Sequence, residues 1–339
     1  MSVKAGRRPA PTMEDVAREA GVSRALVSLV MRERPNVSDE RRARVLDVAA
    51  RLGYRPNAWA RGLASARTKT VGVLLNELHN PFYADIMDGI EERAAEYGFH
   101  TLIGTAGRRP GGEEAALEAF LELRVDGALL VGPRLATERI VAAAATMPIV
   151  VVARGMRSPL VDSITNDERA GARLVVRHLA ELGHRRIAHV DGGSGAGAGA
   201  RRDGYRRAMR EAGLGDEIRI VAGDYTELAG VQAAERLLDS GDLPTAVFAA
   251  NDLVAAGAID RLEDAGLRVP EDVSVVGYDN TFLAALHHVS LTTVDQPRPA
   301  IGARAFEALL ERTEEGRTAP LHARITPSLV VRSTTGPPR

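Results

Sequence analysis

The stretch TMEDVAREAGVSRALVSLVMRERPNVS, Thr12 to Ser38, decides how this chain is read. Thr12 precedes a helical run and has Asp15 three residues on. There a side-chain oxygen can take up free backbone N–H groups, and early acids meet the positive end of the helix dipole. Val16, Ala17 and Ala20 share one face. Gly21 supplies the break, because a residue without Cβ enters the left-handed region cheaply. Ser23 caps a second run in which Val27, Val30 and Met31 line one side, while Arg24, Ala25, Ser28, Leu29 and Arg32 fall on the other. Two short helices around a tight glycine turn make a helix-turn-helix, whose second helix enters the DNA major groove in DNA-binding proteins. An ordinary helical hairpin shares the local pattern, so the flanking sequence must separate the two readings.

Charge helps to do so. The chain of 339 residues has a net charge of −1, but residues 1–70 hold 15 basic and 7 acidic side chains, a net of +8, which leaves −9 for the rest. A basic head on an acidic body is expected of a nucleic-acid module joined to something else. Only Lys4 and Lys69 are lysine, so the clustering of the arginines carries more weight than any one of them. The length suits two or three domains. No apolar run reaches the roughly 18–20 residues of a membrane helix, and the opening MSVKAGRRPAP lacks the apolar centre of a secretory signal. The absence of cysteine excludes disulfides, thiol catalysis and cysteine metal sites. These features fit a cytoplasmic protein with no membrane role.

A third helix is predicted from Ser38 to Gly53, with Val45, Leu46, Val48, Ala49 and Leu52 as its apolar stripe. After Thr70 the style changes. TVGVLL, FHTLIG, DGALLVG and IVVVA read as short buried strands alternating with helices, and the alternation restarts with RAGARLVVRHLAELG, RIAHVDG and onward to VSVVGYD. This is βαβ patterning around parallel sheets, in two successive halves. The tail supplies a strand at LTTVDQ, a helix, and one last strand within HARITPSLVVRST. DGGSGAGAGARRDG, Asp191 to Gly204, follows a predicted strand without G-x-G-x-x-G in register. It reads as a flexible loop beside a ligand cleft rather than a phosphate cradle.

Catalytic and metal constellations are missing. The histidines have no metal spacing; His178 and His184, six apart, are expected on different helix faces. No G-x-S-x-G elbow or G-K-[ST] occurs, and nothing requires an enzyme, a metal or a cofactor.

DVAREAGVS, LVS, the VS opening helix three, and YRPNAWARGLA in the form G-Y-R-P-N-x-x-A-R-x-L stand in order and spacing. In these motifs the chain resembles the LacI/GalR family of bacterial transcription regulators, along almost its whole length. The resemblance implies a flexible arm (1–11), an all-α helix-turn-helix domain (12–55), a hinge helix or linker (56–67) and an α/β periplasmic-binding-protein-like core (70–335). The core would have two similar parallel-sheet subdomains, about 70–165 with 297–324 and about 166–293 with 325–335, and crossovers near Asn166, Val294 and Ile325. DNA contacts are expected from Thr12, Ser23, Arg24, Ala25, Ser28 and Leu29, and from the hinge residues Asn57, Ala60, Arg61 and Leu63. Leu63 matches the wedge that kinks DNA in the minor groove. Trp59 would pack against a symmetry mate or fill a groove. Leu29 would face DNA or pack under helix three.

The same resemblance places a small-molecule effector between the subdomains, held by Phe82, Tyr83, Arg201, Tyr225, Asn251, Asp279 and Gln296. A carboxylate, an amide and a guanidinium satisfy paired hydroxyls while an aromatic face covers an apolar ring, which suits a sugar or sugar derivative. Other roles stay open: Asn251 as a helix cap, Asp279 as a turn former, Tyr225 as core. Ala153 followed by Arg154 stands where many relatives carry Asp, which removes one usual hydroxyl acceptor. The expectation is a homodimeric repressor on a near-palindromic double-stranded operator, switched by this effector. The alternatives are a ligand-binding protein of the same core fold without a DNA role, and a regulator with a nucleoside or purine corepressor. The ending VVRSTTGPPR carries no leucine heptads, which favours a dimer over a tetramer.

Overall fold

The computed structural model describes residues 11–32, 34–55, 67–105 and 111–339, in two compact units, 1–68 and 69–339. The first holds α1 (Met13–Ala20), α2 (Arg24–Met31) and α3 (Asp39–Leu52). The start of α1 is a reciprocal cap: Asp15 N–H donates to Thr12 Oγ1 at 3.3 Å, and Thr12 N–H donates to Asp15 Oδ2 at 2.9 Å. Gly21 (φ 67°) ends α1, and Leu26 N–H donates to Ser23 Oγ at 3.2 Å to start α2. Val16, Val27 and Val45 meet at the centre, fully buried. Each contributes about 1.5–3 kcal/mol. Leu46 departs from its expected place on the α3 stripe. It is 48% exposed, because Val45, Val48, Ala49 and Leu52 already fill the face that meets α1 and α2.

The second unit carries two six-stranded sheets. The first contains β1 (Thr70–Leu75), β2 (His100–Thr105), β3 (Gly127–Val131), β4 (Ile149–Val152), β5 (Val161–Asn166) and β11 (His322–Ile325), in the order β11-β5-β4-β3-β1-β2 with all pairs parallel. The second contains β6 (Ile187–Val190), β7 (Arg219–Val221), β8 (Ala246–Phe248), β9 (Ser274–Asp279), β10 (Thr292–Asp295) and β12 (Ser328–Val330), in the order β12-β10-β9-β8-β6-β7. Only the β10–β12 pair is antiparallel. Helices α4 (Pro81–Glu96), α5 (Gly112–Glu122), α6 (Thr137–Ala144) and α11 (Arg298–Thr313) belong to the first lobe; α7 (Glu168–Glu181), α8 (Ala198–Glu211), α9 (Glu227–Asp239) and α10 (Asp252–Asp264) belong to the second. The chain passes between sheets at 166–168, 295–298 and 325–328.

Two elements differ from the sequence reading. β5 was not expected, because VDSITN has few of the apolar residues of a buried strand. Asp162 is nonetheless fully buried within it. Its carboxylate accepts from Arg312 Nε (2.9 Å) and Nη2 (2.7 Å), Arg317 Nη2 (2.6 Å) and Leu321 N–H (2.8 Å). The last expected strand divides at Thr326–Pro327 into β11 and β12, one in each sheet; Pro327 has no N–H for a ladder. His184 also lies beyond the end of α7 rather than on another face of it, and its ring bridges Thr245 Oγ1 (3.0 Å) and Gly336 O (2.8 Å).

Candidate functional site

On the helical head, Ser23, Arg24, Ala25 and Leu29 are exposed and Ser28 is half-buried. Leu29 is 40% exposed and therefore does not pack under α3. Arg24 and Arg32 have no carboxylate partner among the described residues, whereas Arg18, Arg44 and Arg51 pair with acids of the head. The solvent face of α2 thus offers unneutralised guanidinium groups beside an apolar side chain. The hinge candidates Asn57, Ala60, Arg61 and Leu63, with Trp59, lie outside the described residues.

In the two-lobed unit, six of the seven effector candidates converge. Phe82, Tyr83, Arg201, Tyr225, Asp279 and Gln296 line one inner chamber, together with Asn80, Ala153 and Glu168. Asn80 caps α4 by accepting from Phe82 N–H at 3.0 Å, which sets Phe82 and Tyr83 at the helix start, their rings edge to face at 5.3 Å. The chamber itself is only about 20 Å³, room for one hydroxyl-sized group; Asn80, Tyr83 and Tyr225 line both it and an outer cleft of about 560 Å³, a size that accommodates a small organic ligand.

The polar floor of the chamber is a hydrogen-bonded relay. Gln296 donates through Nε2 to Asp279 Oδ1 at 2.5 Å and accepts at Oε1 from Asn166 Nδ2. Asn166 and Gln296 stand at two of the three inter-sheet connections. Burial, and then the neighbouring Asp252, push the Asp279 carboxyl well above its usual range. Its backbone lies at φ 111°, followed by Asn280 at φ 55°, a left-handed pair that costs about 1–3 kcal/mol per residue unless the surroundings hold it. The surroundings do. Asn280 donates to Asp295 Oδ1 (2.9 Å), and its side-chain and backbone carbonyls accept from Arg332 (2.8 Å) and Arg298 (2.7 Å). Arg298 also donates to Asp85 on α4 at 2.7 Å, so one guanidinium ties the end of β9 to the first lobe.

Arg201 is only 3% exposed. Its Nε and Nη2 donate to Glu168 Oε2 at 3.1 and 2.7 Å, Nη1 donates to Ala250 O, and the plane lies 3.5 Å from the Tyr278 ring centroid. Tyr225 is not plain core; it is half-buried, donates to Ala196 O at 2.8 Å and rests its ring on Gly192 and Gly195. A Cβ at either glycine would sit 2.5 or 2.3 Å from that ring, so the glycine run serves close packing of the cleft wall. Asn251 stands apart from the other candidates. Its Oδ1 accepts from Val254 N–H at 2.9 Å and its Nδ2 donates to Tyr225 O at 3.2 Å, so it caps α10 and braces Tyr225 from behind. Arg154 turns away from the chamber, to Leu135 O (2.5 Å) and Thr137 Oγ1 (2.8 Å), leaving Ala153 at the wall.

The sequence reading missed Asn80, Asn166, Glu168 and Arg298. Asn80 and Glu168 sit at helix starts and look like ordinary boundary residues; no local signal marks them as neighbours of Arg201 or Asp279. Among the described residues no cluster of three or more His, Cys, Asp or Glu could hold a metal, and no helix is long and apolar enough to cross a membrane.

A helix-turn-helix head and a two-lobed α/β core with a polar inter-lobe chamber define a DNA-binding regulator of the ligand-responsive class. Residues 12–57 match the family of bacterial regulatory proteins of the lacI type, and residues 176–335 match the periplasmic binding protein-like domain. The chain is 38% identical to catabolite control protein A of Priestia megaterium over 302 residues, covering 88% of this chain and 91% of that protein. It is 35% identical to the HTH-type transcriptional repressor PurR of Vibrio atlanticus (strain LGP32), covering 95% and 98%. Among solved structures it resembles the lac repressor dimer bound to operator and the anti-inducer ONPF (TM-score 0.86, 30% identity, 96% of this chain and 99% of that one). It also resembles the complex of the transcriptional regulator CelR with cellobiose (TM-score 0.72, 33% identity, 96% and 99%). The chain belongs to the lacI family of bacterial regulatory proteins and is a DNA-binding transcription regulator.

Proposed function

We propose that this protein is a cytoplasmic, homodimeric repressor without enzymatic activity, whose affinity for a near-palindromic operator is set by a polyhydroxylated small molecule bound between the core lobes. The observation that supports the reading is the Asn166–Gln296–Asp279 relay, which joins the chamber carboxyl Asp279 to residues on two connections between lobes. A ligand hydroxyl bound at Asp279 would bias the angle of these connections, and with it the spacing of two heads in a dimer. This is allostery through unequal affinity for two states. The tyrosines at the chamber mouth supply an apolar face for a sugar ring. They also keep a second reading open, a nucleoside or purine corepressor, because a planar base would stack there equally well. A gel-shift titration on operator DNA, with and without candidate effectors, tests the proposal. Wild type should change operator affinity with one effector class, and Asp279→Asn should bind operator but not respond. An Asp279→Asn variant that responds like wild type would remove the assignment.

A further inference from the structure

The outer cleft carries Asp224 and Glu227 on its second-lobe wall, and Arg134 with Glu77 on its first-lobe wall, where the Glu77 carboxylate is engaged by His79 N–H (3.3 Å) and ring Nδ1 (3.0 Å). Arg134 is exposed, and its side chain has no ion-pair or hydrogen-bond partner among the described residues. The turn that carries it is nonetheless fastened from two sides. The carboxylate of Glu113, only 8% exposed, accepts from Arg134 N–H at 3.0 and 2.9 Å and from Leu135 N–H at 2.7 Å. Arg154 donates to Pro133 O at 3.3 Å and to Leu135 O at 2.5 Å. A buried acid and a half-buried arginine are thus committed to the backbone of a short turn, which presents one free guanidinium to the cleft. A turn held in this way loses little freedom when its side chain binds a ligand. Tyr83 lines both the chamber that holds Asp279 and the cleft that holds Arg134, so a ligand seated in the cleft with one hydroxyl in the chamber would lie along Tyr83.

We infer that Arg134 recognises an anionic group, a carboxylate or a phosphate, on the effector whose hydroxyls meet Asp279 and Gln296. The inference rests on the cleft reading above and narrows it to acidic or phosphorylated ligands. The planar fork of Arg suits bidentate oxygen pairs. Asp224 and Glu227 on the opposite wall disfavour the reverse orientation, while the acid on Arg134's own wall, Glu77, is engaged by His79. The competing role is a latch, in which Arg134 pairs with Asp224 or Glu227 when the lobes close.

The test uses the full chain as wild type, Arg134→Gln, Arg134→Lys and Asp279→Asn, read by thermal midpoint and calorimetry at constant ionic strength. The probes are glucose, glucose 6-phosphate, glucuronate, adenosine, AMP and inorganic phosphate. Wild type should bind an anionic member about tenfold more tightly than its neutral counterpart, and Arg134→Gln should erase that difference while leaving neutral binding within roughly twofold. Arg134→Lys should restore part of it. Preference for glucuronate over glucose 6-phosphate, or the reverse, separates carboxylate from phosphate. Equal binding of neutral and anionic members, an equal loss for all members in Arg134→Gln, or no response to any anionic member would each overturn the inference. Undiminished binding by Asp279→Asn would instead defeat the cleft reading, whatever Arg134→Gln does.

Discussion

Gln296 holds Asp279 and Asn166 at once, donating to the first at 2.5 Å and accepting from the second, while itself 1% exposed. Its removal strands two buried polar partners. Gln296→Leu should therefore cost about 1–3 kcal/mol of stability and abolish the effector response while operator binding persists. Denaturant titration and a gel shift with and without effector check both parts; retention of the ligand response would show that the relay is not the coupling element.

Asp162 anchors the strand that the sequence concealed. Burial pushes its carboxyl up, but the bonds from Arg312 and Arg317 outweigh that and hold it below the usual value of 3.8. With a lowered folded pKa, its contribution is present above about pH 4 and is lost as the pH falls through the folded value. Asp162→Asn leaves the partly buried Arg312 without a carboxylate and Arg317 with Glu311 alone (2.8 Å). A loss of about 3 kcal/mol is expected at neutral pH, shrinking in acid, as measured by chemical denaturation at several pH values.

His189 adds a second loss of stability in acid, with burial rather than ion pairing as its cause. It is fully buried, stacks on Phe248 at 4.6 Å and donates from Nδ1 to Phe248 O at 3.0 Å, while Nε2 has no partner. Burial lowers its pKa from 6.5 to about 4. The unfolded chain then binds the proton first. The stability contribution is complete above pH 6.5 and falls by roughly 3 kcal/mol as the pH drops toward 4. Asp252, raised by burial from 3.8 to about 6, opposes this, since its contribution is lost as the pH rises through 6. His189→Phe keeps a ring on Phe248 and removes only the histidine titration. Its stability should fall less between pH 6.5 and 4 than that of wild type; parallel profiles would contradict the assignment.

Arg24 and Leu29 share the solvent face of α2. Arg24 lies one residue past the Ser23 cap, at the helix end that meets base edges in helix-turn-helix proteins, and its fork suits guanine O6 and N7. Leu29 offers apolar contact, for which a thymine methyl is the partner. Selection of random operators should show Arg24→Ala relaxing one base pair by about 1–3 kcal/mol, with Leu29→Ala relaxing a neighbouring pair by less. Because Leu29 is 40% exposed, its replacement should leave the thermal midpoint of the head unchanged. Identical preferred sequences for wild type and both variants would exclude this reading of the helix.

Local physics made much of this protein legible in advance. The Thr12 cap, the Gly21 turn and the valines of the head follow from rules acting within a few residues, and so does the strand–helix alternation after Thr70. The motif-borne candidates around Phe82, Arg201 and Asp279 also met in one chamber. What the sequence could not reveal depends on partners far along the chain. β5 is a strand because Asp162 finds Arg312 and Arg317, 150 and 155 residues away. Asn251 spends both ends of its side chain on backbone because the carbonyl of Tyr225 lies behind it. Arg134 stands out only once Glu113 and Arg154 are seen to grip its turn. A buried polar group takes its meaning from whatever satisfies it, and for these residues only the tertiary structure decides what that is.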